Sequence, residues 1–145
     1  MLADEVGVVR SLVGVYEAFQ EIAAELRSLS GVRAVTTPCW MQAEEPVGED
    51  QFRIGRGEGF RIEWYAEAEF GDRGVSFSEE LSWHAGEWVV DASVRANDAQ
   101  GEHMLIELPR RFAVTAEEMV AELRGQTQLL VERRGEALRC FAQDR

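Results

Sequence analysis

A strict alternation of apolar and polar residues in the middle of the chain constrains the fold more than any other feature. The apolar members of the first alternating segment are Phe60, Ile62, Trp64, Ala66, Ala68 and Phe70. Arginine, glutamate and tyrosine residues occupy the positions between them. A period of two sustained over residues 60–70 predicts an antiparallel strand with one buried face and one exposed face.

Three turn signals divide the region that follows into further strands. We predict turns at residues 71–74, 85–86 and 97–101, each of which contains glycine. The alternation continues between them, in strands at residues 75–84, 88–96 and 104–108. Because short connections favour pairing in sequence order, we expect a four-stranded meander.

The N-terminal segment has the periodicity of a long helix. Apolar residues recur at spacings of three, four and seven between residues 3 and 29, and Ser30 and Gly31 then form a stop signal. The predicted buried stripe consists of Val6, Val9, Val13, Tyr16, Ala23 and Leu26, widened by Phe19 and Ile22. A helix of this length is long enough to cross a sheet or to meet a second subunit.

A second helix is predicted after the meander. Thr115 and Glu118 have the spacing of a capping box, which marks the start of a helix. Gly135 is the predicted end of the helix. Residues 136–145 are expected to add a last helical turn.

The remaining segments complete a two-layer fold. Residues 32–42 indicate a strand interrupted by Pro38, which suits a sheet edge. Residues 43–51 predict an acidic loop, and residues 52–59 predict a short strand or an irregular turn. Since one sheet face is apolar and the other polar, both helices should cover the same face. The predicted fold class is therefore α+β, with two layers in a single domain spanning residues 1–145.

The net charge of −12 narrows the classes of partner. The chain carries 27 acidic residues against 15 basic ones, and every basic residue is arginine. Nucleic acids and anionic membrane surfaces would repel such a chain, so we expect neither as a partner. A basic protein, a cationic ligand or a metal ion suits this charge better, and simple solubility is the alternative explanation.

The sequence favours a cytoplasmic location. The N-terminus carries Asp4 and Glu5 where a signal peptide has basic residues, and no apolar run is long enough to span a bilayer. Cys39 and Cys140 are expected to be reduced in that compartment. The exclusive use of arginine favours a GC-rich bacterial source.

The predicted strand alignment brings acidic residues together on the polar face. The predicted cross-strand pairs are Phe70 with Val75, Trp83 with Trp88, and Ala96 with Glu102. This register puts Glu80, Asp91 and Glu107 side by side on three neighbouring strands. The acidic field is extended by Glu63, Glu67 and Glu69. Like charges directly opposite one another destabilise a sheet, so we expect a basic protein surface or a divalent cation to compensate them, unless the side chains splay into solvent.

One acidic residue, Glu79, falls in the apolar row of its strand. The predicted register sets it between Ala66 and Ala92, with small neighbours around its carboxyl. A buried carboxylate is costly unless it is paired or protonated, which makes Glu79 a functional candidate. An ion pair with Arg10 or Arg124, or a bulge that turns Glu79 outward, is the structural alternative.

A pocket between helices and sheet is the setting in which Glu79 would be functional. Glu79 would be its polar anchor, with Trp64, Trp83 and Tyr16 as aromatic walls. The alternative for the tryptophans is ordinary packing in the core.

No motif in the sequence identifies a reaction. His84 and His103 are predicted at opposite ends of the sheet, and no zinc or nucleophile signature is present, so we predict no metal, cofactor or catalytic residue. The leading hypothesis is a non-enzymatic protein whose acidic sheet face binds a basic protein partner.

Small immunity proteins and secretion-chaperone-like adaptors share the predicted architecture and fit that hypothesis. The alternative hypothesis is a pocket protein of the NTF2-like type, in which Glu79 binds a ligand or acts as a general base. A homodimer formed through the N-terminal helix is a further expectation.

Overall fold

The computed structural model describes residues 2–43, 59–84 and 86–143. Its elements are α1 (Leu2–Arg27), β1 (Ala34–Thr36), β2 (Cys39–Ala43), β3 (Gly59–Phe70), β4 (Arg73–His84), β5 (Glu87–Asp98), β6 (Gly101–Glu107), β7 (Arg111–Ala113) and α2 (Ala116–Gln143). The predicted acidic loop and the predicted segment 52–59 lie outside the described residues, apart from Ala43 and Gly59 at their ends.

The seven strands of the described residues form one antiparallel sheet, with the predicted meander at its centre. The strand order is β1-β3-β4-β5-β6, while β2 also pairs with β3 and β7 with β5. The break predicted at Pro38 is confirmed, because β1 and β2 pair with successive parts of β3. Both helices pack on the apolar face, so the predicted two-layer α+β fold is confirmed.

The β3–β4 hairpin is tighter than the sequence alignment predicted. Phe70 lies opposite Arg73 instead of Val75, because the loop contains only Gly71 and Asp72. Gly71 has a φ of 62°, which glycine adopts readily in a two-residue turn. The predicted pairing was therefore wrong by two residues, a slip that preserves the face on which each side chain lies.

Strand β6 contains a bulge that the alternation did not predict. The β5–β6 hairpin closes with Asp98 opposite Gly101, so Ala96 lies opposite His103 instead of Glu102, and the register shifts again between Arg95 and Val94. An extra residue in one strand disrupts the alternation beyond it. Met104, which was predicted to face inward, lies opposite the exposed Arg95 on the turn side of the bulge and is 45% exposed, whereas Ile106 beyond the bulge lies opposite Val94 and is buried as predicted.

The buried face of α1 differs from the predicted stripe in the first half of the helix. Its buried apolar residues are Val15, Phe19, Ile22, Ala23 and Leu26, with Val8 and Leu12 packed against the same core. The predicted members Val6, Val9, Val13 and Tyr16 are exposed. The buried stripe has regular spacings of three and four residues along the whole helix, and this continuous face packs against the sheet and α2.

Helix α2 begins as predicted and extends further than predicted. The Glu118 backbone N–H donates to Thr115 Oγ1 over 3.1 Å, which confirms the cap. The helix continues past Gly135 to Gln143 because Phe141 is buried in the core. Burial of an aromatic side chain outweighs the cost of about 1 kcal/mol that glycine imposes within a helix.

Candidate functional site

Three carboxylates lie in a row across the polar face of the sheet. Glu80 on β4 is directly opposite Glu63 on β3 and directly opposite Asp91 on β5. The predicted alignment of Glu80 with Asp91 is confirmed, but Glu107 lies opposite Ser93 and is not the third member. Glu63 takes that position. We call Glu63, Glu80 and Asp91 the acidic row.

The acidic row lies in a depression of about 390 Å³ on the polar face. The carboxylates that line the depression are Glu63, Glu67, Glu80, Asp91, Glu102 and Glu107, and the arginines are Arg95 and Arg110. The excess of carboxylates gives the depression a negative potential. Serine hydroxyls from β4 and β5 lie in the same depression, including Ser78 and Ser93, whose oxygens are 3.3 Å apart.

Arginine and tyrosine side chains hold the two outer members of the acidic row. Arg110 donates to Asp91 Oδ2 over 3.0 Å, and Arg61 Nε lies 3.2 Å from Glu63 Oε1. The Tyr65 hydroxyl also donates to Glu63. These contacts orient the outer carboxylates and leave Glu80 at the centre of the row.

The charge of Glu80 is disfavoured by its surroundings. Partial burial is the main cause that raises the pKa of Glu80, and the negative charges of Glu63 and Asp91 raise it further. The positive charges of Arg61 and Arg110 lower it. Because burial is the first cause, the raised pKa of Glu80 reflects mainly desolvation, and a cation placed beside Glu80 would stabilise its charged form.

The described residues contain no cluster of three or more histidine, cysteine, aspartate or glutamate side chains suited to a metal ion. His84 and His103 lie at opposite ends of the meander, as the alignment predicted. His103 is 3.3 Å from Asp98 in an exposed turn. The carboxylates of this face can accept charge-assisted hydrogen bonds from amine or guanidinium groups.

Glu79 points into the core, as its place in the apolar row predicted, and none of its surface is exposed. Its neighbours across the sheet are Trp64 and Ala92. The prediction of Ala66 as a neighbour was wrong, because the tighter β3–β4 turn moves the register by two residues. A large indole thus occupies the space that was expected to be open.

A hydroxyl from α2, that of Thr127, contacts the buried carboxyl. Thr127 Oγ1 lies 2.8 Å from Glu79 Oε2 and 3.0 Å from Oε1, and it lies 2.8 Å from the Leu123 carbonyl oxygen. One hydroxyl has one proton and cannot donate to both residues. A protonated Glu79 resolves this conflict, because it donates to Thr127 while Thr127 donates to Leu123.

The pKa of Glu79 agrees with a protonated carboxyl. Burial raises the pKa of Glu79 from its ordinary value of 4.5 to about 8, and the hydrogen bond with Thr127 opposes this by a smaller amount. The alternative of an ion pair with Arg10 or Arg124 is not realised in the described part of the chain. Glu79 is instead held in the core as a neutral acid.

The aromatic residues predicted to wall a pocket do not come together around Glu79. Trp64 is buried beside it, but Trp83 is half-buried and packs on Trp88, its predicted partner, at 6.2 Å between ring centroids. Tyr16 is 47% exposed on α1. A cleft lies elsewhere, between α1 and α2, and Thr127 forms part of its wall.

The cleft was not predicted from the sequence, in which Arg10 and Arg124 were named only as possible ion-pair partners of Glu79. The available signals were a glycine inside α1, Gly14, and the polar residues Ser11 and Thr127 on helix faces directed toward the other helix. Periodicity alone does not show that two helix faces diverge.

Comparisons of this chain with protein-family models, with curated proteins and with solved structures find no match. Within the described residues, neither helix combines the length and the apolar character needed to cross a membrane.

Proposed function

We propose that this protein is a non-enzymatic binding protein whose acidic sheet face binds a basic surface of a partner protein. The observation that carries the proposal is the acidic row, in which Glu80 faces a carboxylate on each neighbouring strand. Such a row costs stability in the free protein, and cationic groups of a partner would relieve that cost. The row lies at the centre of a concave, negatively charged surface.

The chemistry of the depression favours arginine or lysine side chains as its ligands. Carboxylates provide charge-assisted hydrogen bonds to guanidinium groups, and the serine hydroxyls add further acceptors. Arg95 and Arg110 at its border are already paired with Glu102 and Asp91. An immunity-type inhibitor or a secretion-chaperone-like adaptor would use a face of this kind, and products of neighbouring genes are the first partners to examine.

Binding of a rhodamine-labelled decaarginine peptide, followed by fluorescence anisotropy, tests the proposed face. The variant combining Glu63→Gln, Glu80→Gln and Asp91→Asn should bind the peptide at least tenfold more weakly than the wild type. The matched control combines Glu17→Gln, Glu21→Gln and Glu117→Gln, which removes the same charge from exposed helix positions. The control should retain affinity within about twofold, since distant exposed charges are largely screened.

Equal losses of affinity in the two variants would show that the peptide senses only net charge. Wild-type affinity in the sheet variant would exclude the acidic row from the binding surface. Circular dichroism of each variant verifies that the sheet is folded.

An exposed apolar stripe on α1 supports the predicted homodimer. Val6, Val9, Val13 and Tyr16 are each between 46% and 58% exposed, at alternating spacings of three and four residues that suit packing against a second helix. Sedimentation equilibrium should show a dimer for the wild type and a monomer for the variant with Val9→Glu and Val13→Glu. A wild-type protein that remains monomeric at 100 times the protein concentration used in the anisotropy measurement would contradict the dimer.

A further inference from the structure

A cleft of about 530 Å³ opens between residues 10–15 of α1 and residues 124–132 of α2. The cleft is formed by one face of each helix. Its α1 residues are Arg10, Ser11, Gly14 and Val15, and its α2 residues likewise recur at spacings of three and four. Its volume falls within the range of small-molecule sites, roughly 300–1,000 Å³.

Gly14 keeps one wall of the cleft open. A Cβ atom built on Gly14 would meet nothing within 4 Å, so no close packing requires a glycine there. Glycine inside a helix costs roughly 0.5–1 kcal/mol relative to alanine. The space beside Gly14 is part of the cleft between the helices.

The walls of the cleft are largely apolar. Val15 on α1 is buried, and Val131 on α2 is partly buried and packs against the core. The Thr127 hydroxyl provides a polar contact on the same wall and is tied to the buried Glu79. A ligand in the cleft thus meets apolar side chains together with Ser11 and Thr127, whereas Glu79 is not part of the lining.

Two arginines from opposite helices line the same cleft. Neither Arg10 nor Arg124 forms an ion pair or a hydrogen bond in the described part of the chain. The one acidic residue of the lining, Glu132, accepts a hydrogen bond from Gln128 over 3.0 Å. In a protein with a net charge of −12, two arginines without partners create a local positive site.

We propose that the cleft between α1 and α2 binds a small amphipathic anion. Its carboxylate, sulfonate or phosphate group lies between Arg10 and Arg124, and its apolar body packs on Val15 and Val131 in the space beside Gly14. The guanidinium groups suit these anions because they offer paired N–H donors in a fixed plane. This site is independent of the acidic sheet face.

Fluorescence titration with 8-anilinonaphthalene-1-sulfonate, which joins a sulfonate to an apolar ring system, tests the cleft. The wild type should bind the probe saturably, with one molecule per chain. The double variant Arg10→Gln and Arg124→Gln should bind at least tenfold more weakly. Its control, Arg27→Gln with Arg139→Gln, removes the same charge from exposed positions on the same helices and should bind like the wild type.

A second pair of variants tests the space instead of the charge. Gly14→Leu should abolish probe binding by filling the cleft. Gly7→Leu lies two turns earlier on α1, where a Cβ also meets nothing within 4 Å, but Gly7 is not part of the lining. It should bind the probe like the wild type. Near-UV circular dichroism verifies that each variant is folded. If Gly14→Leu does not fold, the double variant Arg10→Gln and Arg124→Gln still tests the proposal.

Competition identifies the ligand class. Decanoate and decyl phosphate should displace the probe, whereas decylamine should not. The proposal is overturned by absence of saturable binding, by wild-type affinity in the arginine variant or in folded Gly14→Leu, or by equal displacement with decylamine. The variant of the acidic row should bind the probe normally, so failure at one site is distinguishable from failure at the other.

Discussion

At the scale of single residues, the main chemical feature is a neutral acid in the core. Glu79 has no exposed surface, and its neighbours are an indole, an alanine and the Thr127 hydroxyl. A carboxylate in these surroundings would have too few donors, because Thr127 also contacts the Leu123 carbonyl oxygen. The raised pKa of Glu79 follows from this desolvation.

Glu79 should make the stability of the protein fall as the pH rises. The folded-state pKa of about 8 lies above the ordinary value of 4.5. Its contribution is therefore fully present below pH 4.5 and is lost as the pH rises through 8, with a slope of up to about 1.4 kcal/mol per pH unit. Urea denaturation between pH 5 and pH 8 measures the free energy of unfolding of both proteins. The value for Glu79→Gln should rise relative to that of the wild type as the pH increases, at about this slope.

The control for this experiment is Glu69→Gln, at an exposed position of β3. The free energy of unfolding of Glu69→Gln should change with pH in parallel with that of the wild type over the same range. Parallel curves for the wild type and Glu79→Gln would instead mean that the carboxyl is already ionised in the folded state.

The Thr127 hydroxyl should contribute measurably to stability through Glu79. Thr127→Val preserves the shape of the side chain and leaves Glu79 without its hydrogen-bond partner, which should cost about 1–3 kcal/mol in the free energy of unfolding. Thr127→Ser retains the hydroxyl and should cost less than half as much. Urea denaturation at pH 6 measures both values, and equal costs would mean that packing of the methyl group dominates.

At the scale of elements, the chain depends on tight connections. Gly31, which follows α1, has a φ of +85°, and a Cβ built on it would lie 1.7 Å from the Phe70 ring at the end of β3. The helix-to-sheet connection thus permits no side chain at this position.

Gly31→Ala should be among the most destabilising alanine substitutions in a turn of this protein. The left-handed backbone costs about 1–2 kcal/mol for alanine, and displacement of Phe70 should bring the total to roughly 3 kcal/mol. Gly71→Ala is the matched control, since its φ is +62° and its Cβ would meet nothing within 4 Å. Thermal unfolding should show the smaller loss for Gly71→Ala, and equal losses would mean that Phe70 moves aside at little cost.

The acidic row should cost stability in the free protein. The pKa of Glu80 is raised, so its charged form is disfavoured in the folded state. The contribution of protonated Glu80 to the stability of the folded protein is therefore lost as the pH rises and the carboxyl ionises. Glu80→Gln should therefore stabilise the protein at pH 7, by roughly 0.5 kcal/mol after solvent screening. Thermal unfolding at low and high salt measures this gain, which should shrink as salt increases, and a destabilised variant would mean that Arg61 and Arg110 already compensate the row.

At the scale of the whole molecule, the two candidate binding surfaces differ in charge. The sheet face is acidic, whereas the cleft between the helices contains two arginines without partners. The two surfaces are formed by separate elements, so each should tolerate substitutions in the other. This separation allows the two binding proposals to be tested independently.

The placement of the candidate sites could be predicted only in part. Alternation along β4 was enough to place Glu79 inward and Glu80 outward, because side chains of a strand alternate between faces whatever its partners are. It was not enough to identify their neighbours. Glu63 entered the acidic row, and Glu107 left it, because register depends on loop length and on a bulge.

The sequence by itself determined the long strands, both helices and the face on which most strand residues lie: strands from a period of two, helices from a period of 3.6, and a two-layer arrangement from one apolar sheet face. The short strand β7 and the outward side of Met104 were not predicted. Only the tertiary structure decided which stripe of α1 is buried, how far α2 extends past Gly135, and where the helices diverge into a cleft. The physical reason is that periodicity is a local property of the chain. Burial and register, in contrast, depend on which surfaces of distant segments fit together at least cost.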